Sequence, residues 1–265
     1  MMSRRIRRIG LLGLLLLLLP QTAAPAHATC EKNGANEQLR YTWRLRGGLA
    51  WLAGFRFPTS GAGELETFRE SGQEINSKLM ITGSSGGDDF YLYQSEMDRT
   101  GDRTLVSYHG YAFGKKERSE RTLFDYVKRL ARIHKKSGER AEDRVRPIPS
   151  SSMRDILTGI YYIRQNATVI TKPIETHIYS DGSVYPVLFR PLGTETVEFN
   201  GESIQARAFM ITAARGSEKR WPGGVRLVIS DDERRVPLRI EIRRSLATLQ
   251  LDLQTIERCG LRVGS

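Results

Sequence analysis

The sequence predicts a mainly β protein of the α+β class, in which an antiparallel sheet packs against one amphipathic helix. Two observations carry this prediction. Apolar and polar residues alternate along several short segments separated by turn residues, a pattern typical of half-buried strands. One segment, from Met153 to Ile163, instead carries its apolar residues at helical spacing.

The chain begins with the pattern of a secretory signal peptide. Four arginines precede an apolar run from Leu11 to Leu19, and Ala26-His27-Ala28 is a small-residue cleavage signal. The run is shorter than the roughly 20 apolar residues that span a bilayer. We therefore predict cleavage of residues 1–28 near Ala28. Residues 29–265 are then a single domain in the periplasm, peripheral to the membrane at most.

The charge balance agrees with an exported protein. The chain carries 41 basic and 30 acidic residues, a net charge of +11, and loss of the four leader arginines leaves 37 against 30. Outside the cytoplasm such a surplus meets anionic lipid head groups and acidic polymers, so we expect no nucleic-acid partner. A dispersed, merely solubilising charge is the alternative interpretation.

The two cysteines, Cys30 and Cys259, lie near the two ends of the mature chain. In an oxidising compartment an even pair predicts a disulfide, which would stabilise the fold by roughly 4 to 5 kcal/mol in the chain-entropy model. Lipidation of Cys30 is the alternative. The residues before it lack the leucine and the small residue that a lipoprotein signal requires.

The first strands are predicted between Tyr41 and Phe113. Tyr41, Trp43 and Leu45 alternate with polar residues until Gly47-Gly48 interrupts the pattern, and a second strand follows from Leu49 to Phe57. Two more strands are expected at residues 90–93 and 106–113.

The C-terminal third predicts an antiparallel meander. Asn200-Gly201 is typical of a type I′ hairpin turn, because both residues tolerate positive φ. Alternation then continues from Val225 through a polar turn at Asp231-Asp232-Glu233 to a last strand that contains Leu249, Leu251 and Leu253.

Between these β regions the sequence predicts the helix. Ser150, Ser151 and Ser152 are candidate caps, and the helix is expected to end near Gln165-Asn166, with Arg154 and Arg164 outside or at its rims. The stretch from Thr122 to Ile133 has two interpretations, because its apolar spacing suits a helix whereas its neighbours favour a long strand.

The residues 155–164 (DILTGIYYIR) and 229–239 (ISDDERRVPLR) resemble a widespread family of exported bacterial proteins known only as a domain of unknown function. The start from Tyr41 to Gly54 is similar too. The resemblance implies a strongly curved antiparallel sheet, or half-barrel, wrapped around the helix, broadly like carriers of lipids or lipoproteins in the envelope. It also favours a strand from Thr122 to Ile133, and it carries no catalytic residue over to this chain.

No motif predicts a catalytic residue, a metal site or a cofactor. Residues 83–87 (GSSGG) match the Gly-x-Ser-x-Gly pattern, but a β segment follows them where a hydrolase needs a helix. His109, His134 and His177 lack paired-ligand spacing, although His177 and Glu175 share a strand face. Asp88-Asp89 and the 231–233 acids lie in predicted turns, where such residues bond nearby backbone groups.

The predicted ligand site is an apolar cleft between the sheet and the helix. Its candidate lining residues are Trp43, Trp51, Phe55, Ile156, Leu157, Ile160 and Tyr161. A closed core filled by the same side chains is the alternative. Arg235, Arg239 and Arg243 are expected to form a ladder for an anionic head group, or else a solvated face compensated by Glu241.

We therefore predict a non-enzymatic envelope protein that binds or carries an amphiphile, such as a lipid or a lipidated partner. A periplasmic scaffold or assembly module that binds other envelope proteins is the second hypothesis. An enzyme that acts on cell-wall or surface polysaccharide is the third.

Overall fold

The fold was analysed in a computed structural model, which describes residues 36–47, 58–69, 73–84, 89–216, 221, 223–243 and 247–258. The strands are β1 (Glu37–Arg46), β2 (Ser60–Arg69), β3 (Ile75–Gly83), β4 (Phe90–Met97), β5 (Thr104–Phe113), β6 (Lys116–Asp125), β7 (Leu130–Ser137), β8 (Arg140–Pro147), β9 (Ile174–Ser180), β10 (Ser183–Phe199), β11 (Glu202–Ala213), β12 (Gly224–Ser230), β13 (Pro237–Arg243) and β14 (Thr248–Arg258). One helix, α1 (Ile156–Asn166), lies between β8 and β9. Among the described residues, no helix is long and apolar enough to cross a membrane.

All fourteen strands form one antiparallel sheet, in the order β8-β7-β6-β5-β4-β3-β2-β1-β14-β13-β12-β11-β10-β9. Strands that are consecutive in sequence pair with each other, except β8 and β9, and β1 pairs with β14, so the chain enters and leaves the sheet at its middle. The edges are β8 and β9, and α1 lies in the connection between them. The predicted fold class, a curved antiparallel sheet around one helix, is confirmed.

Strand β1 shows how alternating apolar and polar residues correspond to the two faces of the sheet. Leu39, Tyr41 and Trp43 are buried on the face that carries α1, whereas Thr42 and Arg44 are exposed on the other face. We call the helix-bearing face concave and the opposite face convex. The predicted strand from Leu49 to Phe57 lies outside the described residues.

The hairpin between β10 and β11 has the predicted turn. Asn200 and Gly201 have φ values of 52° and 79°, and Phe199 pairs with Glu202 on either side of them. Positive φ at both central positions defines a type I′ turn, whose twist matches that of the flanking strands. The Asn-Gly prediction is confirmed.

The stretch from Thr122 to Ile133 is neither a helix nor one long strand. It is a hairpin in which β6 ends at Asp125 and β7 begins at Leu130, with Phe124 paired to Ala131. A helix was wrong because its apolar stripe included Val127, which is 96% exposed, and one long strand was wrong because residues 126–129 form a turn.

The helix starts later than predicted, and its cap is Asp155 rather than a serine. The Asp155 Oδ1 accepts a hydrogen bond from the Thr158 N–H at 2.9 Å, the usual bond of an N-cap. Ser150 instead accepts from the Ser152 N–H in a local turn. Met153 is buried before the helix, in an extended segment.

The two arginines that the sequence places outside or at the rims of the helix are instead buried. Arg154 and Arg164 are 6% and 8% exposed. Arg154 bonds Asp102, and its guanidinium lies 4.0 Å from the centre of the Tyr162 ring. Arg164 pairs with Glu37. Burial of these charges follows from their partners, since an arginine is rarely buried unpaired.

The main core lies between α1 and the concave face. Leu157, Ile160 and Ile163 of the helix join one apolar cluster with residues from both halves of the sheet, among them Ile75 and Phe189. The helix packs chiefly against β3, β4 and β9. Because β9 is an edge strand, α1 links one edge of the sheet to its interior.

Candidate binding site on the concave face

The concave face of β4 and β5 carries aromatic side chains beside the helix. Tyr91 pairs in register with Tyr111, and Tyr93 pairs with His109. The Tyr91 and Tyr111 rings lie 5.8 Å apart, and the Tyr93 and His109 rings stack at 6.0 Å. Tyr91 is 38% exposed, and the other three are half-buried. We call these four residues the aromatic wall.

The edge hairpin formed by β9 and β10 packs over the concave face of β5–β7. The Tyr179 hydroxyl donates to Glu120 Oε1 at 2.6 Å and lies 2.6 Å from Thr122 Oγ1. In the turn, the Asp181 carboxylate lies 3.3 Å from His109 Nε2. These contacts bring the β9 edge against strands near the opposite edge, so the sheet wraps into a barrel-like shape without pairing its edges.

Glu120 is the centre of this polar contact. It is nearly buried, and its Oε2 lies 2.6 Å from Lys135 Nζ. Burial alone raises the pKa of Glu120, but the hydrogen bonds from Lys135 and Tyr179 outweigh it, so the pKa is lowered overall. The carboxylate therefore stays charged and holds the edge hairpin to β6 and β7.

A second buried carboxylate, that of the capping residue Asp155, lies on the same face. It accepts hydrogen bonds from the Ser95 hydroxyl and the Thr158 N–H, and its own backbone N–H donates to Thr104 Oγ1 at 2.9 Å. Burial raises the pKa of Asp155, although the bonds from Ser95 and Thr158 act in the opposite direction. The N-terminus of α1 is thereby fixed to β4 and β5.

A small cleft opens where the helix, β4–β5 and the edge hairpin meet. Its volume is about 40 Å³. Roughly two or three water-sized groups would fill it. It is lined by Tyr93, Ser107, Tyr108, His109, Asp155, Ile156, Leu157, Tyr179, Ser180 and Asp181. We call it the concave cleft. It adjoins the aromatic wall, because Tyr93 and His109 belong to both.

A family model for a protein of unknown function (DUF3108) matches residues 63–254. The chain belongs to the DUF3108 family. The resemblance to a family known only by a domain of unknown function is therefore confirmed.

One solved structure shares the fold of this DUF3108 member. A β-barrel-like protein of the domain of unknown function DUF1849 from Brucella abortus superposes with a TM-score of 0.59 at 8% identity, covering 85% of this chain and 98% of that one. The Mycobacterium tuberculosis lipoprotein LppX aligns over 86% of this chain and 90% of its own at 13% identity, with a TM-score of 0.28. No curated protein matches the chain significantly. At these identities the first likeness shows the fold alone.

The structure divides the predicted cleft residues of this DUF3108 member into three groups. Ile156 and Leu157 line the concave cleft, although their partners there are polar rather than the predicted tryptophans. Ile160, Tyr161 and Trp43 are buried in the closed core, where the Trp43 indole donates to the Thr82 carbonyl at 2.8 Å. Trp51 and Phe55 lie outside the described residues, as do Cys30 and Cys259.

The predicted arginine ladder contains two arginines rather than three. Arg239 and Arg243 lie on β13, where Arg239 bonds Asp252 at 2.6 Å and Arg243 bonds Glu241 at 3.0 Å. Arg235 precedes the strand and donates to the Gln165 carbonyl at the end of α1. These pairs agree with the alternative prediction, a solvated face on which acidic residues neutralise the arginines. Binding of an anionic head group stays a prediction.

The other polar candidates lie in separate places. His134 pairs with Asp143 at 2.7 Å on the convex face of β7, opposite the concave cleft, and Asp232 bonds groups within its own turn. Most of the Gly-x-Ser-x-Gly pattern lies outside the described residues. Of the histidines weighed from the sequence, the structure brings His109 alone to the concave cleft.

Proposed function

We propose that this protein binds an amphiphile, a lipid or a lipidated partner, on the concave face, in the periplasm as the sequence predicts. The observation that carries the proposal is the concave cleft and its continuity with the aromatic wall. A polar recess beside exposed ring surface matches a molecule that has one polar and one apolar end.

The charges of the concave cleft favour a neutral polar head group. His109 faces Asp181, and Glu120 beside the cleft faces Lys135. Burial raises the pKa of Asp155 and so weakens its tendency to carry a charge. An anionic head group would meet these carboxylates without a surplus cation, whereas hydroxyl or amide groups can donate to the exposed Asp181 carboxylate at the cleft.

The size of the concave cleft sets the placement of the ligand. A volume of about 40 Å³ is far below the 300 Å³ or more that encloses a typical small molecule, so the cleft accepts the head alone. The apolar chain then lies along Tyr91, Tyr93 and Tyr111. Binding of this kind buries part of the wall and leaves the helix core unchanged.

Tyr93→Ala tests the proposal, because Tyr93 belongs to both parts of the site. We expect at least about tenfold weaker binding of a fluorescent monoacylglycerol, a probe with a neutral head group, since loss of an aromatic contact of about 1.4 kcal/mol corresponds to that factor. Leu92→Ala is the matched control, as Leu92 is the preceding residue of β4 and lies on the convex face. Its affinity should equal that of the wild type.

Native mass spectrometry of the protein purified from its own host is the second readout. We expect a co-purifying mass that organic extraction removes, and displacement of the probe by a neutral monoacylglycerol. Protein that emerges empty and binds no probe would overturn the proposal. Equal weakening by Tyr93→Ala and Leu92→Ala would place the ligand elsewhere.

We propose a scaffold function as the second candidate, because β8 is an exposed edge strand. The Ile148 N–H donates to the Arg129 carbonyl, next to β7. Backbone groups alternate in direction along a strand, so the β8 residues an even number of positions before Ile148 bond β7. The backbone groups of Ala141, Asp143 and Val145 therefore point to the free edge. Such an edge accepts an added strand from a partner envelope protein.

Val145→Pro tests this second function. Proline removes an outward N–H without removing a bond to β7, so the fold should survive and strand addition should fail. We expect wild type and Val145→Ala to crosslink in cells to a partner that mass spectrometry identifies. Val145→Pro should lose this crosslink. Identical crosslinks in all three proteins would contradict it.

A further inference from the structure

The convex face carries a groove that, among the described residues, shares only Tyr108 with the lining of the concave cleft. Its volume is about 460 Å³, more than ten times that of the concave cleft. It is lined by Glu66, Phe68, Asn76, Ser77, Lys78, Gln94, Ser95, Glu96, Val106, Tyr108 and Arg121. We call it the convex groove.

Strand register explains the shape of the convex groove. One cross-strand row consists of Glu66, Lys78, Gln94, Tyr108 and Arg121, which are successive register partners from β2 to β6. The adjacent row consists of Phe68, Asn76, Glu96 and Val106. The groove is the valley between these rows. It runs across the strands for about 19 Å, given a strand spacing of about 4.8 Å.

Tyr108 supplies a flat aromatic surface in the convex groove. A Cβ on Gly110, two residues along the same face of β5, would lie 2.9 Å from the Tyr108 hydroxyl and 3.4 Å from two ring carbons. The ring is therefore folded down over Gly110, along the strand. A ring that lies along a sheet presents its other face outward, where a ligand can stack on it.

Several polar side chains of the convex groove have no partner within the described part of the chain. Asn76, Gln94, Glu96, Arg121 and the Tyr108 hydroxyl make no hydrogen bond or ion pair with a described residue. Within the convex groove Lys78 pairs with Glu66, and outside it on the same face Arg40 pairs with Glu64. The unpaired set offers amide, carboxylate, guanidinium and hydroxyl groups together along one groove.

We propose that the convex groove binds an extended neutral oligosaccharide. A sugar ring has an apolar C–H face that stacks on an aromatic ring, and hydroxyl groups that pair with amides, carboxylates and guanidinium groups. The charges lining the groove, Lys78 and Arg121 against Glu66 and Glu96, balance, which favours a neutral chain over an anionic one. The length of the groove fits an oligomer better than a single sugar.

Titration calorimetry with two probes tests the proposal: a tetramer of N-acetylglucosamine and a neutral glucan tetrasaccharide. We expect saturable binding of at least one, and at least about tenfold weaker binding by Tyr108→Ala, which is about 1.4 kcal/mol. Tyr111→Ala is the matched control, because Tyr111 is an aromatic residue of the same strand on the concave face. It should bind the sugars as the wild type does.

Gly110→Ala gives a second, independent variant. The added methyl group meets the far end of the Tyr108 side chain, so the ring tilts off the sheet while the backbone is retained. Binding should weaken with little change in thermal stability. Absence of saturable sugar binding, equal losses in Tyr108→Ala and Tyr111→Ala, or binding of an extended peptide in place of both sugars would overturn the proposal. The amphiphile readout of Tyr93→Ala is unaffected by these outcomes.

Discussion

Replacing Arg164 with alanine is expected to lower the free energy of unfolding by about 3 kcal/mol at pH 7. The Arg164 guanidinium lies 2.8 Å from Glu37 Oε1, and its Nε donates to the Arg235 carbonyl at 2.9 Å. Both charged groups are nearly buried. Loss of the cation leaves a buried carboxylate with less compensation, which costs more than the pair itself contributes. Removing one partner of a buried ion pair costs about 3 to 5 kcal/mol. The expected loss lies at the lower end because Arg258 also bonds Glu37, at 2.7 Å.

Urea denaturation measures this effect, and two controls isolate it. Arg243→Ala removes an exposed arginine that pairs with Glu241, and its effect should be within about 1 kcal/mol. A double variant, Arg164→Met with Glu37→Leu, removes the whole pair and should recover most of the lost stability. Equal effects of Arg164→Ala and Arg243→Ala would contradict the assignment of a buried pair.

The pH dependence of the Arg164 effect follows from the pKa of Glu37. Burial raises this pKa, but the charges of Arg164 and Arg258 outweigh burial and lower it below the usual range. A lowered folded pKa stabilises the fold above the unfolded pKa of about 4.3, and the contribution is lost as the pH falls through the folded value. The difference between wild type and Arg164→Ala should therefore shrink in acid.

The sequence allowed most of the sheet to be predicted where one face is buried. In β1 and β13, alternation marks the concave face directly, and Asn200-Gly201 marks a hairpin turn. The β6–β7 hairpin was missed because its turn, Tyr126 to Arg129, contains no glycine, proline or asparagine. Arg129 adopts a φ of 54° there, which few side chains signal in advance.

The concave cleft was less predictable, because it depends on contacts between distant segments. Ser95 meets Asp155, and Glu120 meets Tyr179, each about 60 residues away in sequence. No local pattern encodes the packing of the β9 edge against β6. Ile156 and Leu157 lie at the concave cleft because a helical stripe faces the sheet, and their role in binding stays a prediction.

Asp155→Ala is expected to lower the free energy of unfolding by about 3 kcal/mol at pH 7, with loss of the helix cap and of a buried hydrogen bond. The Thr158 N–H and the Ser95 hydroxyl, both in buried residues, would lose their common acceptor. The helix would also lose its anchor to β4. Asp155→Asn keeps an acceptor for Thr158, and asparagine caps helices as well as aspartate does. Its stability at pH 7 should lie within about 1 kcal/mol of wild type.

The comparison of wild type with Asp155→Asn across pH isolates the charge of Asp155. Burial raises the pKa of Asp155 in the folded state above its unfolded value of about 3.9. The folded state therefore binds the proton more tightly, and the stability of wild type relative to Asp155→Asn should rise as the pH falls through the folded pKa toward 3.9. Urea denaturation of both proteins from pH 7 to pH 4 measures this difference. A difference that falls with the pH would mean that the carboxylate is stabilised by its bonds and the helix N-terminus more than burial opposes it.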